Sequence, residues 1–142
     1  MSTITQIIEH LKGSAQVQTL VKGRVCSGLA PVTWKFPRIN IHRITTVHDK
    51  HMGGASGLAD ARYQVNCDAE TTVERDAVAE AVLDRMNGII NADLGEGLNV
   101  RSCFADNDED DDPPAPTDAK ETPIYRRRID LRIWHTESVP SL

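Results

Sequence analysis

The chain has 142 residues, enough for one domain with one real core, and its apolar content of 39% is lean but sufficient for a globular fold. Aromatic residues make up 4%, so a core must come mostly from Ile, Val, Leu and Ala. Net charge is −5, yet Asp106-Asn107-Asp108-Glu109-Asp110-Asp111-Asp112 holds six of the 21 acidic residues; without it 16 basic residues face 15 acidic ones, which excludes a basic nucleic-acid binder.

In chain order, Ser2 or Thr3 can cap a first helix. Its stripe is Ile4, Ile7, Ile8 and Leu11, and Gly13 ends it. Ser14 can cap a second short helix, Ala15 to Val21, closed by Gly23. Arg24 to Ser27 is a short strand candidate. Gly28 to Pro37 reads as a loop, with Pro31 and Pro37 flanking Trp34 and Phe36. Arg38 to Val47 reads as a strand. Ile39 and Ile41 share a face, Arg43 interrupts, and Ile44 resumes on the other face; a β-bulge near His42–Arg43 would explain the switch, as would an edge strand with contacts on both sides. His48 to Gly57 is rich in Gly and His and too long for a tight turn, so a loop is expected.

The best-specified unit runs from Gly57 to Ile90. Ala61, Tyr63, Val65, Cys67 and Ala69 alternate with Arg62, Gln64, Asn66 and Asp68, the period of a half-buried strand. Thr71-Thr72-Val73-Glu74 fits a capping box. Val78, Ala81, Val82, Met86, Ile89 and Ile90 then recur at helical spacing. Asn87-Gly88 can stop this helix early, or it runs to Asn91. Asp93 to Gly97 is a turn.

Leu98 to Phe104 alternates again, with Leu98, Val100 and Phe104 on one face. The acidic run and Pro113-Pro114-Ala115-Pro116 follow. Residues 106–121 cannot bury surface and read as a solvated, flexible acidic and Pro-rich loop. Tyr125 to His135 is the last strand. Ile129, Leu131 and Ile133 face in, while Arg126, Arg128, Asp130, Arg132 and Trp134 face out. It should pair antiparallel with Leu98–Phe104. The order α-(α)-β-β-β-α-β-β argues a single α+β domain, a mostly antiparallel sheet with helices on one face.

Three chemistries lack the residues they need. His48-Asp49-Lys50-His51, with His42 nearby, lacks the three or four fixed ligands of a zinc site and reads as exposed loop histidines. The acidic run places Asp106, Asp108 and Asp110 like the first ligands of a calcium loop. Asp111 then stands where that loop needs Gly, and Thr117 where it needs Glu. Cys26, Cys67 and Cys103 are odd in number with no CxxC, which predicts small buried residues and a reducing compartment. No serine elbow, phosphate-cradling glycine loop or carboxylate-pair motif occurs, so no enzyme and no cofactor are expected. No basic region followed by a long apolar run opens the chain, and no run approaches a membrane span; a soluble protein made in a cytoplasm is the expectation.

The order of features goes further. The helical pair leads to Gly23-Arg24-Val25 and a Pro-bounded strand. A glycine loop ending Ser56-Gly57-Leu58-Ala59 enters Ala61-Arg62-Tyr63-Gln64-Val65-Asn66-Cys67. An Ala-rich helix and a variable loop precede Tyr125-Arg126-Arg127-Arg128-Ile129-Asp130-Leu131-Arg132-Ile133-Trp134. Over nearly its whole length the chain resembles the tail completion (tail terminator, tail-to-head joining) proteins of long-tailed bacteriophages, prophages and gene transfer agents. The Asp106–Pro116 insert is longer and more charged than that pattern.

The resemblance implies a non-enzymatic virion protein at the tail-head neck. It would form a homo-oligomeric ring, usually of six, that caps the tail tube, ends its growth and joins the head-tail connector or adaptor. DNA would pass through the lumen without specific binding, and no membrane is involved. Arg62, Gln64, Asn66, Arg126, Arg128, Arg132 and Trp134 are the candidate subunit contacts. His48, His51, Gly53, Gly54, Asp108, Glu109, Asp110, Asp111 and Asp112 are candidate axial or lumenal loop residues. Another neck component, a head-completion or adaptor protein, is the nearest competing reading; a small α+β enzyme or ligand-binding dimer is the more distant one.

Overall fold

The computed structural model describes residues 2–52, 54–95, 98–111 and 122–137, with side chains except at residues 51, 54 and 55. The elements are α1 (Thr3–Lys12), α2 (Ala15–Val21), β1 (Val25–Ser27), β2 (Arg38–His51), β3 (Gly54–Ala69), α3 (Thr72–Met86), β4 (Ile89–Asp93), β5 (Asn99–Asp111) and β6 (Tyr125–Thr136). The strands form one sheet in the order β1-β2-β3-β6-β5-β4. β1 lies parallel to β2, and every other pair is antiparallel. The α+β expectation holds, with one strand more than the sequence suggested.

Caps set the helix starts. The Ser2 hydroxyl accepts the Thr5 N–H at 3.3 Å, Ser14 accepts Val17 N–H at 3.3 Å, and Thr71 accepts Glu74 N–H at 3.2 Å. Ile7, Leu11, Val17, Val21, Val78, Val82 and Met86 then bury their stripes on one sheet face. That face is built by Ile39 and Ile41 of β2, Ala61 to Cys67 on alternate positions of β3, and Ile129, Leu131 and Ile133 of β6, all essentially sealed from solvent. The helical pattern does not reach Ile90. Gly88 takes a φ of +93°, a left-handed turn that an L side chain resists, and the chain enters β4. Ile89 and Ile90 therefore belong to a strand, and Ile90 is exposed.

Bulges decide which residues face in. The register of β2 shifts between Arg43 and Thr45, so of the two explanations for the broken alternation the bulge is the one present. A second shift, between Val100 and Ser102 in β5, was not foreseen. It turns Cys103 into the core and leaves Phe104 48% exposed, so Phe104 does not share a face with Leu98 and Val100.

Two segments expected to be loops are strands. β2 runs to His51 and β3 starts at Gly54, with His51 opposite Gly54, so a two-residue connection replaces the expected His48–Gly57 loop. The Ser56 hydroxyl ties across to the Asp49 carboxylate at 3.0 Å. The acidic run continues β5 through Asp111, opposite Arg126 to Asp130 of β6. Arginines across the ladder offset the repulsion that composition alone suggested. Gly53, Asp112 and the rest of 112–121 lie outside the described residues.

Candidate assembly surface

The face of the sheet turned away from the helices is a lattice of charge. In β3 and β6 the even-numbered residues point there, and cross-strand neighbours meet as Asp68 with Arg126, Asn66 with Arg128, Gln64 with Asp130, Arg62 with Arg132 and Asp60 with Trp134. Arg126 grips Asp68 through Nε at 2.7 Å and Nη2 at 3.1 Å. Arg132 grips Asp60 through Nε at 3.0 Å and Nη2 at 2.7 Å. Arg62 Nη1 reaches Asp106 at 2.6 Å, and Arg128 pairs with Glu109. Hydrogen bonding to Asp68 raises the Arg126 pKa above its ordinary value. The Arg132 guanidinium also sits 5.7 Å from the Trp134 ring centroid.

A second cluster lies on the helix side of the same corner. Arg127 holds Asp108 in a fork, at 2.7 and 2.6 Å, and lies 3.6 Å from Asp76 at the start of α3. Arg75, almost fully buried, contacts Asp76 at 3.1 Å and Asp110 at 3.5 Å. The Arg127 hydrogen bonds hold the Asp108 carboxyl below the usual carboxylate range, against the opposing effect of its burial. They raise Arg127 in turn.

Every described member of the predicted contact set except Asn66 therefore lies on one accessible face. Asn66 is 1% exposed; its Nδ2 donates to Asn40 Oδ1 at 2.7 Å while its own Oδ1 accepts from Gln64 at 3.0 Å. It is a buried linker between β2 and β3 rather than a contact residue. The arginines are not free anchors either, since each has a carboxylate in its own chain. Sequence reasoning put Asp68 on this face without its arginine partner and left out Asp60. Their signal was present: both share strand parity with Arg62, opposite the arginine-rich face of the last strand.

The predicted loop residues fall at two separate corners. His48 sits near the β2–β3 hairpin, its Nδ1 2.6 Å from Glu137; His51 and Gly54 are its last ladder pair. Asp108, Glu109, Asp110 and Asp111 end β5, at the opposite end of the sheet.

A cavity of about 490 Å³ opens beside the hairpin, lined by Thr3, Ile41, Tyr63, His48, His135 and Glu137 among others. Its one carboxylate, Glu137, is taken by His48, and His135 Nδ1 lies 2.9 Å from the Thr136 carbonyl. No group of three or more His, Cys, Asp or Glu able to hold a metal occurs among the described residues. Burial pushes the Cys103 thiol up to about 12 and Cys67 higher still, so neither is a nucleophile. No helix among the described residues is long and apolar enough to cross a membrane.

Three comparisons bear on this geometry. The family model described as tail completion protein gp17 matches residues 5–136. No curated protein matches. Among solved structures, a chain from "Virion of native gene transfer agent (GTA) particle" is similar in fold, with a TM-score of 0.69 at 16% identity, covering 95% of each chain.

Proposed function

The chain belongs to the tail completion protein gp17 family, and on that premise we propose that it is a structural part of a virion tail that assembles as a ring on the last ring of the tail tube. There it stops tube growth and presents a surface to the head connector. The observation that carries this reading is the extent of the family match, residues 5–136, which takes in both corner hairpins as well as the core. The fold shared with a gene transfer agent virion chain supports it.

The mechanism is geometric. A ring needs a head-to-tail contact that closes on itself, so each subunit must present two different, complementary patches. The helix-free charged face and the two hairpin corners supply separated surfaces for this. The hairpin at His48–Gly54 and the acidic corner at Asp108–Asp111 are then the axial or lumenal elements, one at each end of the sheet.

Electron microscopy of particles made without this protein tests the reading. Tails of unregulated length, unjoined to heads, are expected. Tails of normal length lacking heads would instead assign a neck component that joins without capping. Tails of normal length that still carry heads would end the proposal.

A further inference from the structure

We propose that a second copy of this chain docks on the open edge of β2 through the open edge of its own β5, so that neighbouring subunits share one continuous antiparallel sheet. The inference rests on the ring reading and names the contact that closes the ring.

The outer strands of the sheet are short. β1 covers β2 only at Ile39 to Ile41, and β4 covers β5 only as far as Cys103. One further group is satisfied: Ala105 N–H donates to Asn87 Oδ1 at 2.8 Å. Beyond these points no described strand pairs with the outer side of either strand. Half of the backbone N–H and C=O groups of residues 42–51 and 106–111 thus face outward, as on any strand paired on one side. The two open stretches lie on opposite edges and at opposite ends of the sheet. β2 and β5 also run in opposite directions. Two subunits in the same orientation therefore bring these edges together antiparallel.

Charge selects this pairing. The open stretch of β2 carries Arg43 and Lys50, neither with a carboxylate partner among the described residues. The open stretch of β5 carries five carboxylates, Asp106 and Asp108 to Asp111. Their arginines offset only part of that charge, because Arg126 is shared with Asp68 and Arg127 with Asp76. Pairing β5 with β5 would stack like charges. It would also give a closed dimer rather than a ring.

Register and closure agree. Val47 and Asn107 both point to the helix-free face, opposite Asp60 and Asp130. Setting them opposite each other puts Thr45 against Glu109. Past the bulge at Ile44, Arg43 then meets Asp110 on the helix side. Within one subunit Val47 is level with Ser102, through Asp60 and Trp134. With the extra residue of the bulge at Asp106 discounted, the neighbour is therefore displaced by four residue spacings along the strands, ~13 Å. Four long strands per subunit span ~19 Å across. That ratio inclines the strands by ~35°, at the lower end of the range closed sheets adopt.

The test places Val47→Cys and Asn107→Cys together in a Cys26→Ser background, since Cys67 and Cys103 are buried. Directly opposed antiparallel residues stand ~5 Å apart at Cα, within disulfide reach. After oxidation of purified tails, the double variant should give a ladder of multiples on a non-reducing gel. A mixture of the two single variants should give dimers only. Dimers from V47C alone, or no covalent species from the double variant in tails that contain the protein, would overturn the contact. Absence of the protein from tails would instead overturn the tail reading, and the contact with it. Charge reversal gives an independent readout. Arg43→Glu should lower incorporation into tails about tenfold, because its pair with Asp110 becomes a repulsion, with melting temperature unchanged. Incorporation equal to wild type would count against the proposal.

Discussion

Replacing Arg127 by Met probes what holds the acidic strand in place. The methionine keeps the aliphatic stem and removes the charge. The side chain is 18% exposed and forks onto Asp108 at 2.7 and 2.6 Å, with Asp76 at 3.6 Å. Its loss leaves Asp76, Asp108 and Asp110 together, with Arg75 as the remaining cation among them. Charged hydrogen bonds of this kind contribute a few kcal/mol when buried and less when wet; Asp108 is 30% exposed, so a cost of ~2 kcal/mol is expected. For a chain of this size that lowers the melting temperature by about 5 °C. Hydrogen exchange should localise the effect, with amides of residues 107–111 losing protection while those of β3 keep theirs. Added salt should narrow the deficit, because the unpaired carboxylates repel one another less. Arg128→Met is the control: its partnership with Glu109 is more open on both sides, and the cost should stay below ~1 kcal/mol. Equal effects from the two variants, or undiminished protection of 107–111 in R127M, would refute the argument that the Arg127–Asp108 fork pins this strand.

Three other outcomes follow from the same geometry. Leu131→Ala, at a fully buried position in β6, should cost ~3 kcal/mol in urea unfolding, and a loss under 1 kcal/mol would mean the core collapses around the gap. Thiol titration of the native protein should show one reactive cysteine, Cys26, and three once unfolded, because burial raises Cys67 and Cys103 furthest. The folded pKa of Asp108 is depressed, so the stability it contributes is present above its unfolded value and lost as pH falls through the folded one. The melting-temperature gap between wild type and R127M should therefore close progressively below about pH 4, and a gap that widened there would contradict the assignment.

The helices and the two central strands were legible because their signals are local. Caps at Ser2, Ser14 and Thr71 and the clean alternation of Ala61–Ala69 depend on neighbours a few residues away. What failed depends on partners far along the chain. Asp106 to Asp111 reads as a solvated loop until Arg126 to Arg128 are set across from it, and nothing local announces that register. The bulge at Arg101 hid itself for a similar reason. A single inserted residue reverses the parity of all that follows, and Phe104 and Cys103 exchange roles. The candidate surface was half legible. Alternation identified the outward residues correctly, but not that Asn66 is sealed beneath them or that each arginine is already engaged within its own chain.

That engagement changes how the helix-free face behaves at a distance. Arg126 with Asp68, Arg128 with Glu109, Arg132 with Asp60 and Arg62 with Asp106 place opposite charges within one hydrogen bond of each other. The field of such pairs cancels within a few ångströms, well inside the ~8 Å screening length of physiological salt. A polyanion moving past meets neither an attractive rail nor a strongly repulsive wall. The face is crowded with arginine and is nonetheless close to neutral for a phosphate backbone held one screening length away.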